Sequence, residues 1–163
     1  MTATKIPYDF MRQRVKLLWR DVQFGLEHQL VAPQVAIDKA TDRLSETEDV
    51  SPGEVELASL SENDPILDLV SGLAAAENST ADNVQAKWLY LVLAWLFENH
   101  ASMNDPLGMV EEVYSDFGYP REIVSFVRYM PMVGPDLGNR EQNEARLYDR
   151  WDSYINEVGK RFK

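Results

Sequence analysis

The sequence predicts an all-α protein: one helical domain over residues 1–163, a multi-helix bundle around a central apolar helix at about 80–99. Three observations point there. Apolar residues recur at three- and four-residue spacing along most of the chain. Helix-start pairs punctuate it at Ser51-Pro52, Asp64-Pro65 and Asp105-Pro106. The stretch "KWLYLVLAWLF" (87–97) sets ten apolar residues between Lys87 and Glu98, while no segment alternates as a half-buried strand would.

In chain order, Tyr8, Met11, Val15 and Leu18 fall on one helix face, and Trp19, Val22, Leu26 and Leu30 repeat the pattern in a second segment that Gly25 weakens. Pro33 suits the first turn of a third helix with Ala36, Ile37, Ala40 and Leu44 inward. Ser51-Pro52-Gly53-Glu54 has the form of a capping box. Asp64-Pro65 is expected to start a helix that buries Ile66, Leu67, Val70 and Leu73. Ser79 or Thr80 is expected to cap the long apolar helix, with Val84, Trp88, Leu91 and Trp95 as one stripe and Leu89, Val92, Leu93 and Leu96 on its other sides. A helix apolar all round needs protein or lipid around it. Asp105-Pro106 opens a helix through Met109, Val110, Val113, Tyr114 and Phe117, with Gly118 as its stop. A short helix follows Pro120, and "PMVGPDLGN" (131–139) reads as an irregular connection. The last helix, about 139–160, aligns Tyr148, Trp151, Ile155 and Val158.

The ten-residue apolar run is half the length of about 20 residues that a bilayer requires. Charges recur throughout "MTATKIPYDFMRQRVKLLWRD", unlike a secretory signal. No cysteine is present, which fits a reducing compartment. A cytoplasmic protein without membrane contact is expected.

Charge is unevenly placed. The net charge is −11, yet residues 1–37 sum to +2 and residues 87–163 to −3, so residues 38–86 carry −10. Such a field repels nucleic acid and attracts cationic partners, although a solvated face that aids solubility would look the same.

Catalytic chemistry is not apparent. His28 and His100 stand alone beside helix ends, without HExxH or the Glu-x-x-His spacing of di-iron bundles. Glu111, Glu112 and Asp116 read as a solvent-facing strip, since a metal would need ligands from other helices. No nucleophile elbow, Walker loop or dinucleotide fingerprint occurs. No catalytic residue, cofactor or metal is expected. One polar cluster stands out: Arg121, Arg128, Tyr129, Asp136, Asn139 and Arg140 surround the irregular connection. Convergent polar groups on a loop suit ligand binding, and an Arg–Asp pair that locks the loop in place would use the same residues.

The segments "LLWRDVQFGLEHQLVAPQVAIDKA" (17–40), "KWLYLVLAWLFENHASMNDPLGMVEEVYSDFGYPREIVSFVRYMP" (87–131) and "NEARLYDRWDSYI" (143–155) resemble an uncharacterised bacterial family, domain of unknown function 2247. The resemblance rests on Trp19, Asp21, Gly25, Leu26, Lys87, Trp88, Tyr90, Trp95, Asp105, Pro106, Asp116, Tyr119, Pro120, Arg146 and Trp151, and covers most of the chain outside its acidic middle. It implies no established enzyme activity. Small acidic families of this kind resemble immunity proteins encoded beside bacterial polymorphic toxins, and many nuclease toxins are cationic.

The expectation is therefore a non-enzymatic binding protein whose acidic residues Asp42, Glu46, Glu48, Asp49, Glu54 and Glu56 face a cationic toxin domain. The alternative is a small-molecule enzyme or ligand-binding domain built on Arg128, Tyr129, Asp136, Asn139 and Arg140.

Overall fold

The computed structural model describes residues 5–77 and 84–163. All regular structure among them is helical. Contacts gather the chain into two compact units, residues 2–84 and 85–163.

The N-terminal unit holds α1 (Tyr8–Arg14), α2 (Trp19–Glu27), α3 (Gln34–Glu46), α4 (Pro52–Ala58) and α5 (Leu67–Ala76). Helix α2 packs on α5, α3 on α4, and smaller contacts join α4 to α5 and α1 to α3. The face expected to run from Tyr8 to Leu18 is interrupted: α1 ends at Arg14 and Val15 is extended at φ −136°. The cause lies in acceptors that fix the start of the next helix. Leu18 N–H donates to Asp21 Oδ2 at 2.8 Å. The Glu77 carboxylate receives the N–H groups of Trp19 at 2.6 Å and Arg20 at 3.0 Å. Two carboxylates thus satisfy the orphan donors of the α2 N-terminus and complement its dipole. At the other end of α2, Gln29 takes φ 57° and Leu30 N–H reaches back to Gly25 O at 2.8 Å, which terminates the helix in the left-handed manner.

The capping box at Ser51 is present: Glu54 N–H donates to Ser51 Oγ, and Ser51 N–H donates to Glu54 Oε1. Asp64 behaves differently from expectation. Its carboxylate accepts from Ser61 N–H at 2.8 Å and closes a turn, so α5 starts only at Leu67. Ile66 and Val70 are buried, but Leu67 is 44% exposed, and Leu44 on α3 is 39% exposed although its spacing predicts an inward position.

The C-terminal unit contains α6 (Val84–Glu98, whose first residue closes the N-terminal unit), α7 (Pro106–Asp116) and α8 (Arg140–Gly159), with 3-10 turns at His100–Ser102 and Arg121–Phe126. The expected cap of α6 at Ser79 or Thr80 lies outside the described residues. Lys87 through Ala94 are all buried. That is more than two turns, so burial covers the whole circumference of the helix. Trp88 is fully enclosed and Trp95 partly so. No helix among the described residues is long and apolar enough to cross a membrane.

Asp105 caps α7 by accepting from Gly108 N–H. Gly118 and Tyr119 both take positive φ as α7 ends, and Tyr119 N–H donates to Tyr114 O at 2.8 Å. Helix α8 is fixed to α6 through Trp151, which is fully buried and donates its indole N–H to Leu93 O at 3.1 Å. Phe97 meets the Trp151 ring edge-on at 5.1 Å. Near the end of α8, a Cβ on Gly159 would stand 2.8 Å from the Tyr90 hydroxyl, so only glycine permits this approach.

Candidate functional site

Two regions carry the expected functional residues, one in each unit. In the acidic segment, Glu46, Glu48, Asp49 and Glu56 are exposed. None of these four forms an ion pair among the described residues. Asp42 is half-buried, accepts from the Tyr8 hydroxyl at 2.6 Å and lies 3.5 Å from Arg12, tying α3 to α1. Glu54 corrects the expectation: it is 5% exposed and faces inward. Its carboxylate receives the Ser51 N–H, the Trp19 indole N–H at 3.1 Å and Arg43 Nε at 2.9 Å. Burial works against its charge, but the donors led by Arg43 outweigh it and hold the carboxyl below the usual glutamate range.

The two bases of this acidic segment are also held internally. Arg43 bridges to Glu54 and donates to Asp49 O. The Lys39 ammonium lies over the Trp19 ring, 4.8 Å from its centroid, and burial lowers its pKa. With these cations drawn onto Trp19 and Glu54, Glu46, Glu48, Asp49 and Glu56 form no ion pair among the described residues, although Glu46 and Asp49 lie within the field of Arg43. Two exposed apolar side chains stand among the acids: Leu44, and Val55 at 50%. They adjoin in sequence the Arg43–Glu54 bridge between α3 and α4.

In the C-terminal unit the polar cluster forms its own network. Arg128 binds both Asp105 oxygens, at 2.9 and 3.0 Å, and Glu111 at 2.9 Å. This bidentate bridge holds the start of α7 to the chain after the second 3-10 turn. Arg128 pulls the Asp105 carboxyl below its ordinary range, and Asp105 in turn raises the guanidinium's pKa. Glu111 is therefore an ion-pair partner and not part of a solvated strip, whereas Glu112 and Asp116 are exposed as expected. Asn139 caps α8 by accepting from Gln142 N–H at 2.8 Å. Asp136 accepts from Asn143 Nδ2 and Gly138 N–H, and these bonds lower its pKa. Arg140 pairs with Glu144 at 3.3 Å. Tyr129 is exposed and meets Tyr114 edge-on at 6.0 Å. Arg121 is exposed.

Arg128, Asp136, Asn139 and Arg140 do line a cavity of about 470 Å³ between the irregular connection and α8; Tyr129 and Arg121 do not. Among its charged liners, sequence reasoning missed Glu144, Arg146 and Arg150. A signal was present for the arginines: they stand four apart on a helix, and Arg146 is among the residues that carry the family resemblance.

The histidines serve helix ends. His28 Nδ1 pairs with Phe24 O at 2.9 Å and stacks on the Phe24 ring, and His100 Nδ1 pairs with Phe97 O. No group of His, Asp or Glu among the described residues could hold a metal ion.

The molecule is thus an all-α protein with an open acidic face in one unit and an arginine-lined cavity in the other. It belongs to DUF2247, a family of uncharacterized proteins conserved in bacteria, whose model matches residues 8–159. No curated protein matches the chain, and no solved structure does.

Proposed function

We propose that the chain is a non-enzymatic binding protein that recognises a cationic protein partner through the outer surface of α3, α4 and the turn between them, and that this partner is a bacterial toxin domain it neutralises. The observation that carries the reading is the composition of that surface. Glu46, Glu48, Asp49 and Glu56 are exposed without ion-pair partners among the described residues, and Leu44 and Val55 are exposed beside them. Charges of one sign accelerate and orient encounter, while apolar side chains within them supply the area that desolvates on contact. Asp42 and Glu54, which bind Tyr8, Arg12, Trp19 and Arg43, hold the surface in shape and do not face the partner.

A toxin domain is expected to be encoded beside this gene, and the test is co-expression with that domain, followed by binding kinetics for the pair; a neighbourhood without one would count against the proposal. Growth should be restored, and association should slow as salt rises. Reversing Glu46, Glu48, Asp49 and Glu56 to lysine should lower the association rate constant by about tenfold or more and flatten its salt dependence. Leu44→Ala and Val55→Ala should instead raise the dissociation rate. Unchanged kinetics in the charge-reversed variant would refute this face.

A further inference from the structure

The cavity of the C-terminal unit is large enough for a small organic molecule. Its lining is of two kinds: apolar side chains such as Val127, Met130, Val133 and Leu147, and the guanidinium groups of Arg146 and Arg150. The other charged liners have partners of their own: Arg128 pairs with Asp105 and Glu111, Arg140 with Glu144, which lines the cavity too, and Asp136 accepts from Asn143.

Arg146 and Arg150 differ from them. Arg146 Nη1 donates to Pro135 O at 2.7 Å, and Arg150 donates to Ser125 O at 3.2 Å and Val133 O at 2.8 Å. These acceptors are all backbone carbonyls, which satisfy a donor but do not cancel a charge. Arg146 Nε is buried with no hydrogen-bond partner. The two side chains are also close together: a Cβ on Gly134 would stand 3.3 Å from Arg146 Nη1 and 3.3 Å from Arg150 Nη2. Like charges four apart on a helix repel. Asp136 acts on Arg146 here, and the other lining carboxylate, Glu144, is held by Arg140 and Arg128, so the two guanidiniums outnumber the anion beside them. Adjacent forks of this kind suit a carboxylate or a phosphate.

We propose that this cavity binds a small organic anion, a carboxylate or phosphate monoester on an apolar body, through Arg146 and Arg150. The anionic head lies against the two guanidiniums and the apolar body against the aliphatic lining. The ligand supplies the negative charge that the fold leaves out. This site is independent of the acidic face, and either can fail without the other.

The test is calorimetric titration and thermal unfolding of the full chain with four probes: benzoate, phenyl phosphate, inorganic phosphate and benzyl alcohol. Benzoate or phenyl phosphate should bind and raise the melting temperature by mass action, and the tighter of the two identifies the preferred head. Inorganic phosphate lacks the apolar body and benzyl alcohol the charge, so each should bind about tenfold more weakly or worse. Arg150→Gln and Arg146→Gln should each weaken the preferred anion by about tenfold or more. Arg146→Lys, which keeps the charge and loses the fork, serves where the glutamine variant does not fold. Met132→Trp, at a liner 52% exposed, should block entry with the guanidiniums intact. Equal affinity for benzyl alcohol and benzoate, no binding of either aromatic anion, or unchanged affinity in a folded Arg150→Gln protein would overturn the proposal.

Discussion

The two units solve opposite halves of one problem. The N-terminal unit is made of short helices, and each start leaves N–H groups that need acceptors. Carboxylates answer them: Asp21 and Glu77 at α2, and Glu54 at α4. The C-terminal unit contains an irregular stretch after the second 3-10 turn, whose carbonyls need donors. Arginines answer these: Arg146 at Pro135 and Arg150 at Val133, with a further Arg150 bond to Ser125 inside the 3-10 turn. Both signs occur in each unit, since Asp105 caps α7 and Arg43 donates to the Asp49 carbonyl, but the helix starts draw on carboxylates and the irregular stretch on arginines. The charges singled out differ as well, exposed acids on and between α3 and α4 in one unit and two guanidiniums on a cavity wall in the other. Function is sought in those charges.

The largest test of the contrast is Trp151→Ala. The C-terminal unit relies on aromatic packing where the other relies on carboxylates, and Trp151 joins Phe97, Phe126 and the Leu93 carbonyl with no exposure. Its removal should cost about 3–5 kcal/mol in denaturant unfolding. A loss under about 1 kcal/mol would mean that the ring cluster is not what holds α8.

Next comes Glu54→Ala, with an expected cost of about 2 kcal/mol. The carboxylate is buried, but Arg43 is 37% exposed and can turn to water, which reduces the penalty of a fully buried pair. The pH dependence has a definite sign. The folded pKa of Glu54 lies below its unfolded value, so its contribution is complete above the unfolded pKa and is lost as pH falls through the folded one. Glu54→Gln should flatten the acid limb of stability against pH. An unchanged acid limb would show that other carboxylates govern it.

Much of this division could be read from the sequence, because it rests on local signals. The capping box at Ser51, the Asp105 cap, the Gly118 stop and the burial of 87–94 all follow from residues within a few positions of one another. What could not be read depends on distant partners. The break between α1 and α2 is fixed in part by Glu77, and the inward turn of Glu54 by Trp19, both far along the chain. Leu44 fits a buried spacing and is nonetheless exposed. For the cavity, the sequence identified the residues flanking the loop but not Arg146 and Arg150, since their carbonyl partners become visible only once the loop folds back on α8.

A smaller effect is expected for Arg128→Gln. The pair with Asp105 is bidentate, but the Asp105 side chain is 57% exposed, and solvent screens it. The cost should be about 1 kcal/mol, reduced in high salt. If it exceeds the cost of Glu54→Ala, the contrast between units is wrong, because an exposed arginine bridge would then outrank a buried carboxylate network.

The smallest effect concerns the exposed acids that form no ion pair among the described residues. Lysine at positions 46, 48, 49 and 56, introduced one at a time, should change unfolding free energy by no more than about 0.5 kcal/mol each, since none of the replaced carboxylates forms an ion pair among the described residues. Repulsion between neighbouring acids implies that some of these changes stabilise, most clearly at Glu48 and Asp49, which adjoin in sequence. Chemical denaturation at low salt is the sensitive measurement, because screening erases the difference at high salt. A marked loss of stability at any one position would place that carboxylate with Glu54 among the structural acids and remove it from the surface available to a partner.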